Sequence, residues 1–200
     1  DLLSPECDRL AILGLSYGAE AALLTAVRDT RLDVVIGLAP TDIAWEGAYD
    51  DDSDPRVSKW TWQGQDVPFV PLDRQWQPAS EPPAFIDSYR WARQNADAEV
   101  VDRATIPVED INGEVILVAG GDDKVWPSSE HAKAIAARRQ KHGIDTTIVE
   151  DPAAGHPVLF PGEPPKETRR SYQVGGDDGA PQRLGRQAWP VLQAALHLFR

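Results

Sequence analysis

The chain has 200 residues, with 32 acidic against 20 basic side chains and a formal net charge of −12. This length suits one domain with a sizeable core, and 42% apolar content with seven Trp argues against disorder. The acidic balance argues against nucleic-acid binding, because phosphate contacts need clustered Lys and Arg. One cysteine, Cys7, excludes an internal disulfide and a multi-cysteine zinc site.

No apolar run reaches the ~18 residues that a membrane span requires. A single cysteine fits a reducing compartment. We therefore expect a cytoplasmic protein with no membrane partner and no nucleic-acid partner.

Apolar runs and helical periodicity alternate along most of the chain. Short apolar runs bounded by Gly or Pro predict buried strands, and longer periodic stretches rich in helix formers predict helices. The predicted strands cover residues 10–15, 34–39, 114–119 and 146–149, and the predicted helices begin at Tyr17 and cover 128–142 and 182–199. This alternation predicts an α/β fold with a mostly parallel sheet.

Residues 41–110, called the insertion below, break this alternation. Pro, Asp, Gly and Trp dominate there, and the one helix that we predict covers 83–95. A loop-rich stretch of this length inside an α/β pattern is more often functional than a plain connector. The insertion holds five of the seven tryptophans: Trp45, Trp60, Trp62, Trp76 and Trp91.

The sequence Gly14-Leu15-Ser16-Tyr17-Gly18 fits a nucleophile elbow. It lies between a predicted strand and a predicted helix, which is the context that such an elbow requires. Ser16 would then project above the strand ends. The backbone N–H of Tyr17, at the positive end of the helix, would face a developing oxyanion.

A serine nucleophile needs a base and an acid that orients the base. His156 follows the fourth predicted strand. His131 and His142 lie on a charged predicted helix that we expect to be exposed, and His197 lies on the last predicted helix, where we expect a surface or packing role. Asp122 and Asp123 both follow the third predicted strand. We prefer Asp123, because other α/β-hydrolases place the acid three residues after the first Gly of this loop and shortly before an apolar–Pro pair. Asp122 remains the alternative.

Several stretches resemble one family of α/β-hydrolases. They are residues 14–20 (GLSYGAE), 60–64 (WTWQG), 106–113 (IPVEDING), 121–123 (GDD) and 126–129 (WPSS). With these motifs the chain resembles the C-terminal domain of the acyl-CoA thioesterase and bile acid-CoA:amino acid N-acyltransferase family. The chain order Ser16, Asp123, His156 is the order expected of this fold.

The resemblance implies an acyl-enzyme mechanism on a small acyl thioester, such as an acyl-CoA, or on an ester. Ser16 would attack the carbonyl, His156 would act as base and then acid, Asp123 would orient it, and water would release the acid. No cofactor and no metal are implied. In the family, transfer to an amino acid goes with Cys at the nucleophile, so Ser16 favours hydrolysis. Acyl transfer to an amine or alcohol, and a non-catalytic hydrolase-like binding module, remain the alternatives.

The four predicted strands look like the last four of the roughly eight in this fold. We therefore expect residues 1–200 to form one catalytic domain without its N-terminal strands, with the insertion as a cap. An N-terminal segment, a second chain or a homodimer would complete the sheet beside residues 10–15. Substrate contacts are expected from four tryptophans: Trp60, Trp62, Trp76 and Trp126.

Overall fold

The computed structural model describes residues 7–48, 51–164 and 171–198. In chain order its elements are β1 (Ala11–Leu15), α1 (Tyr17–Ala26), β2 (Val34–Leu38), β3 (Thr61–Trp62), β4 (Gln65–Asp66), α2 (Ile86–Asn95), α3 (Ala98–Ala104), β5 (Glu114–Gly120), α4 (Ser128–Lys141), β6 (Thr147–Asp151) and α5 (Ala180–Ala195). A single 3₁₀ turn, Val108–Asp110, precedes β5. None of the helices in these ranges is both long and apolar enough to cross a bilayer.

Four strands form one parallel sheet in the order β1-β2-β5-β6. All five residues of β2 are buried, as a strand covered on both faces must be. The predicted α/β class and parallel sheet are confirmed. Because all four strands run in the same direction, the loops that follow them meet at one edge of the sheet.

Helices cover both faces of this sheet. On one face α1 and α4 pack against alternate strand residues, in a core that includes Leu23, Val115 and Ile135. On the other face α5 contributes Leu184 and Leu192. The predicted last helix ends at Ala195 rather than at residue 199, and Phe199 lies outside the described residues.

The insertion contains more regular structure than its sequence predicts. α2 matches the predicted helix over 83–95 except for its first turn, but α3 and the β3–β4 hairpin were not predicted. The hairpin strands have two exposed residues each, so they carry no alternating pattern. Gln63 and Gly64 form the turn with φ of 52° and 77°, which are the positive values that tight hairpins need.

β1 lies at one end of the sheet, with β2 as its only neighbouring strand among the described residues. Leu13 and Leu15 are 50% and 45% exposed. An uncovered apolar strand of this kind invites pairing with further chain. The covering segment expected from the sequence stays a prediction.

Candidate functional site

Ser16 sits in a sharp turn between the last residue of β1 and the first residue of α1. Its φ of 59° and ψ of −124° lie outside the regions that are comfortable for L-residues, which costs about 1–3 kcal/mol. The turn is held by the Ser16 N–H, which donates to the Leu38 carbonyl at 2.8 Å, and by the Ser16 carbonyl, which accepts from the Ala19 N–H at 2.8 Å. Strain held in this way is typical of functional positions.

Glycine is required on one side of this turn. A Cβ on Gly14 would lie 1.9 Å from the carbonyl oxygen of Gly18, whereas a Cβ on Gly18 would have no neighbour within 4 Å. The strand and the helix therefore approach each other at Gly14. Of the two glycines of the motif, only Gly14 is demanded by this close approach.

Asp123 and His156 meet at the carboxyl edge of the sheet. The Nδ1 of His156 lies 2.8 Å from Asp123 Oδ2, and both side chains are buried. The other oxygen, Asp123 Oδ1, accepts backbone N–H groups of Val125 at 2.8 Å and Trp126 at 3.3 Å. With Nδ1 donating to the carboxylate, Nε2 of His156 is left free to accept a proton.

Asp122, the alternative acid, faces away from His156. Its carboxylate forms an ion pair with Lys124 at 2.6 Å and accepts the Gly176 N–H at 2.9 Å. The hydrogen bond from Lys124 is the main reason that the pKa of Asp122 is lowered. Of the two neighbouring aspartates, Asp123 is the one that contacts the histidine.

Trp126 packs between the elbow and His156. Its ring makes edge contacts with Tyr17, at 5.1 Å between centroids, and with His156, at 5.8 Å. Its indole N–H donates to the Ala39 carbonyl at 3.1 Å. Because the ring is fully buried, it offers no surface to a substrate, and the expectation that Trp126 contacts substrate is replaced by a packing role.

Ser16 itself is not hydrogen-bonded to His156 among the described residues. Contacts of this kind are often long without substrate and tighten when it binds. The structure brings Tyr17, which directly follows Ser16, and the imidazole of His156 against the same Trp126 ring.

The three insertion tryptophans expected to contact substrate are spread over the molecule. The Trp60 indole N–H donates to Glu20 at 2.9 Å. Trp62 lies under Arg28, beyond the C-terminal end of α1, whereas Ser16 precedes its N-terminus. Trp76 packs against Phe85. Within the described ranges, no hydrogen bond or ring contact of these tryptophans reaches the Ser16, Asp123 or His156 side chains.

Side chains that the sequence analysis did not single out surround Tyr17. The ammonium of Lys59 lies over its ring, 3.6 Å from the centroid, and its hydroxyl is hydrogen-bonded to the hydroxyl of Tyr89. Glu20 is fully buried one turn into α1 and accepts the N–H of Trp45 at 3.1 Å as well as that of Trp60. The sequence offers one sign of this cluster: Glu20 lies on a face of α1 that is otherwise apolar.

His131 was expected on an exposed helix face, and this is wrong. It is 1% exposed, and its Nδ1 is hydrogen-bonded to Asp42. Arg93 grips the same carboxylate at 2.8 and 3.0 Å, because α2 and the start of the insertion cover this part of α4. Burial alone would raise the pKa of Asp42, but His131 and Arg93 hold it below its usual value.

A second His–Asp pair therefore exists, but it is closed off. Nε2 of His131 is buried without a hydrogen-bond partner in the described part of the chain. Over the same residues no group of three or more His, Cys, Asp or Glu side chains is arranged to hold a metal ion. The Asp42–His131 pair is thus a packing feature that joins the insertion to α4.

Glu20→Gln is expected to stabilise the protein at alkaline pH. Burial raises the pKa of Glu20 from 4.5 to about 8, so between these values the unfolded chain loses a proton that the folded chain keeps. The free energy of unfolding must then fall as pH rises from 4.5 to 8, by about 1.4 kcal/mol for each pH unit. Glutamine still accepts both N–H donors and carries no charge.

Urea unfolding at pH 5 and pH 8.5 measures this difference. The variant should gain a few kcal/mol over wild type at pH 8.5 and little at pH 5. The exposed Glu99 on α3 supplies the matched control, Glu99→Gln, which should follow wild type. An equal change at both pH values would show that the proton on Glu20 is not involved.

Known proteins resemble this chain in sequence and in fold. Residues 2–177 match the family described as "BAAT / Acyl-CoA thioester hydrolase C terminal". A bile acid-CoA:amino acid N-acyltransferase from Mus musculus is 28% identical over 159 residues, which cover 78% of this chain and 33% of the relative.

Among solved structures, an acylaminoacyl peptidase in complex with Z-Gly-Gly-Phe-chloromethyl ketone superposes with a TM-score of 0.50 at 13% identity. The match covers 96% of this chain and 24% of that chain. The chain therefore spans about a third of the curated relative and about a quarter of the solved structure. Its four-stranded parallel sheet with helices on both faces corresponds to the C-terminal portion of an α/β-hydrolase, and the chain belongs to the BAAT / acyl-CoA thioester hydrolase C-terminal family.

Proposed function

We propose that the chain carries the catalytic centre of a serine hydrolase that cleaves an acyl thioester, or an ester, through an acyl-enzyme intermediate. The observation that carries the proposal is the buried His156–Asp123 hydrogen bond of 2.8 Å, at the same sheet edge as the strained Ser16. A buried carboxylate that orients a histidine near an elbow serine is the arrangement that acyl transfer needs.

In the first half of the reaction, Ser16 Oγ attacks the carbonyl carbon while His156 Nε2 takes the hydroxyl proton. The oxyanion accepts a hydrogen bond from the Tyr17 N–H at the start of α1. The positive end of the α1 dipole also favours the negative charge there. When the tetrahedral intermediate collapses, the bond to the thiol or alcohol breaks and His156 returns the proton to it. A water then repeats these steps on the acyl-enzyme and releases the acid.

Acyl transfer to an amine or alcohol is the second candidate, because the mouse relative is named an N-acyltransferase. The two reactions share the acyl-enzyme and differ only in the second nucleophile. Product analysis of the intact gene product with an acyl-CoA, with and without an added amino acid, separates them. Free acid as the sole product supports hydrolysis, and acyl-amino acid as the main product supports transfer.

Ser16→Ala is expected to abolish covalent labelling of the intact gene product by a fluorophosphonate probe. The probe reacts with an activated serine, and Ser16 is the only serine of this sequence that lies in a Gly-x-Ser-x-Gly motif. Ser129→Ala is a matched control, since the Ser129 hydroxyl donates to Glu150 away from the site. Labelling that survives in Ser16→Ala would contradict the assignment, and a wild type that reacts with no probe would favour a binding module.

A further inference from the structure

The ammonium of Lys59 is the feature of this site that the proposed reaction does not use. The insertion places it over the Tyr17 ring, 3.6 Å from the centroid, and Tyr17 directly follows Ser16. The Lys59 side chain is only partly buried, so a ligand can reach it. It forms no ion pair and no hydrogen bond with the described residues.

Four of the five other basic side chains of the insertion have carboxylate partners, and only Arg103 has none among the described residues. Arg56 and Arg74 both bind Glu46, and Arg93 binds Asp42. In a chain with a net charge of −12, a cation left without a carboxylate beside the elbow is an exception.

The nearest carboxyl group does not neutralise Lys59. Glu20 acts on it electrostatically, but burial raises the pKa of Glu20 to about 8, so most of this carboxyl group is protonated at neutral pH. Burial also lowers the pKa of Lys59, which reports a partly dehydrated ammonium. A partly dehydrated charge with only an aromatic ring beside it carries a desolvation cost, and an anionic group placed next to it would offset that cost.

We propose that Lys59 is a specificity residue that binds an anionic group of the substrate close to the reacting carbonyl. The inference rests on the proposed function of Ser16. The ammonium lies directly over the ring of Tyr17, which is the residue next to the nucleophile. The group recognised is therefore a carboxylate a few bonds from the thioester or ester, either in the acyl chain or in the leaving group.

Matched substrates test this on the intact gene product. In the first arm, the succinyl thioester of N-acetylcysteamine is compared with its methyl ester, which keeps the acyl chain, removes the charge and adds one methyl group. In the second arm, the butyryl thioester of 3-mercaptopropionate is compared with its methyl ester. The arm in which wild type prefers the anion identifies the side of the substrate that Lys59 binds.

A charge-assisted contact predicts that kcat/KM for the anionic substrate exceeds that for the neutral one by about 10- to 100-fold. Lys59→Gln should remove this preference while leaving kcat/KM for the neutral substrate close to wild type. Lys59→Arg should keep it, and Lys141→Gln, on the exposed end of α4, should not alter it. If Lys59 only packs on Tyr17, Lys59→Gln should instead lower kcat/KM equally for the anionic and the neutral substrate.

Binding gives a readout that does not depend on turnover. Calorimetry of the Ser16→Ala protein with the preferred anionic substrate should show affinity that falls by a similar factor in the Ser16→Ala, Lys59→Gln double variant. No charge preference in either arm, or a preference that survives Lys59→Gln, overturns the inference. Undiminished turnover by Ser16→Ala overturns the proposed function, and the binding measurement still decides the role of Lys59.

Discussion

Replacing His156 with asparagine is expected to lower kcat by about 10⁴- to 10⁶-fold, because triad members act as a unit. Asparagine keeps an N–H near the position of Nδ1 and so can still donate to Asp123, but it has no group in the place of Nε2. The serine then lacks its base while the buried hydrogen bond is preserved. Steady-state hydrolysis of an acyl-CoA together with a thermal melt measures both effects.

His131→Asn is the matched control, because His131 is also buried and also bonded through Nδ1 to an aspartate, Asp42. Its loss removes ring contacts with Trp45 and Trp126, so the melting temperature should fall. The folded fraction should keep kcat within a few-fold of wild type. If the His131 change abolishes turnover and the His156 change does not, the base has been assigned to the wrong histidine.

Asp123→Asn is expected to keep the fold and lower kcat by about 10⁴-fold. An amide N–H directed at His156 Nδ1 would favour the tautomer that carries its proton on Nε2, and that tautomer cannot accept the serine proton. Steady-state kinetics over a range of pH measures this loss, and we expect kcat to fall while KM stays unchanged.

Asp122→Asn gives the neighbouring control with the same change of atoms. It weakens the ion pair with Lys124 at the surface, so kcat should stay within a few-fold of wild type. If Asp122→Asn lowers kcat severely and Asp123→Asn only mildly, the residue that orients His156 is Asp122, and the reaction class is unchanged.

The sheet and the elbow were predictable because their signals are local. Continuous apolar runs mark strands that are buried on both faces, and the four predicted strands differ from the observed ones by two residues or fewer at each end. The glycine at position 14 marks a close backbone approach. The choice of Asp123, the aspartate that contacts His156, came instead from comparison with the position of the acid in other α/β-hydrolases.

The insertion was not predictable because its contacts join distant parts of the chain. Glu20 and Trp60 are 40 residues apart, and Asp42 and His131 are 89 residues apart. No periodicity encodes such pairs. The burial of His131 and the position of Lys59 over Tyr17 therefore follow only from how the insertion packs on α1 and α4.

Trp126 makes the chemistry of this site sensitive to its core. One buried ring touches both the residue that follows Ser16 and the imidazole of His156, and it also packs on Tyr89 and His131. A change in the volume of the Trp126 side chain is therefore expected to shift Ser16 and His156 together, since close-packed interiors transmit strain. A Trp126 substitution would thus behave kinetically like an active-site substitution, although the buried ring offers no surface to a substrate.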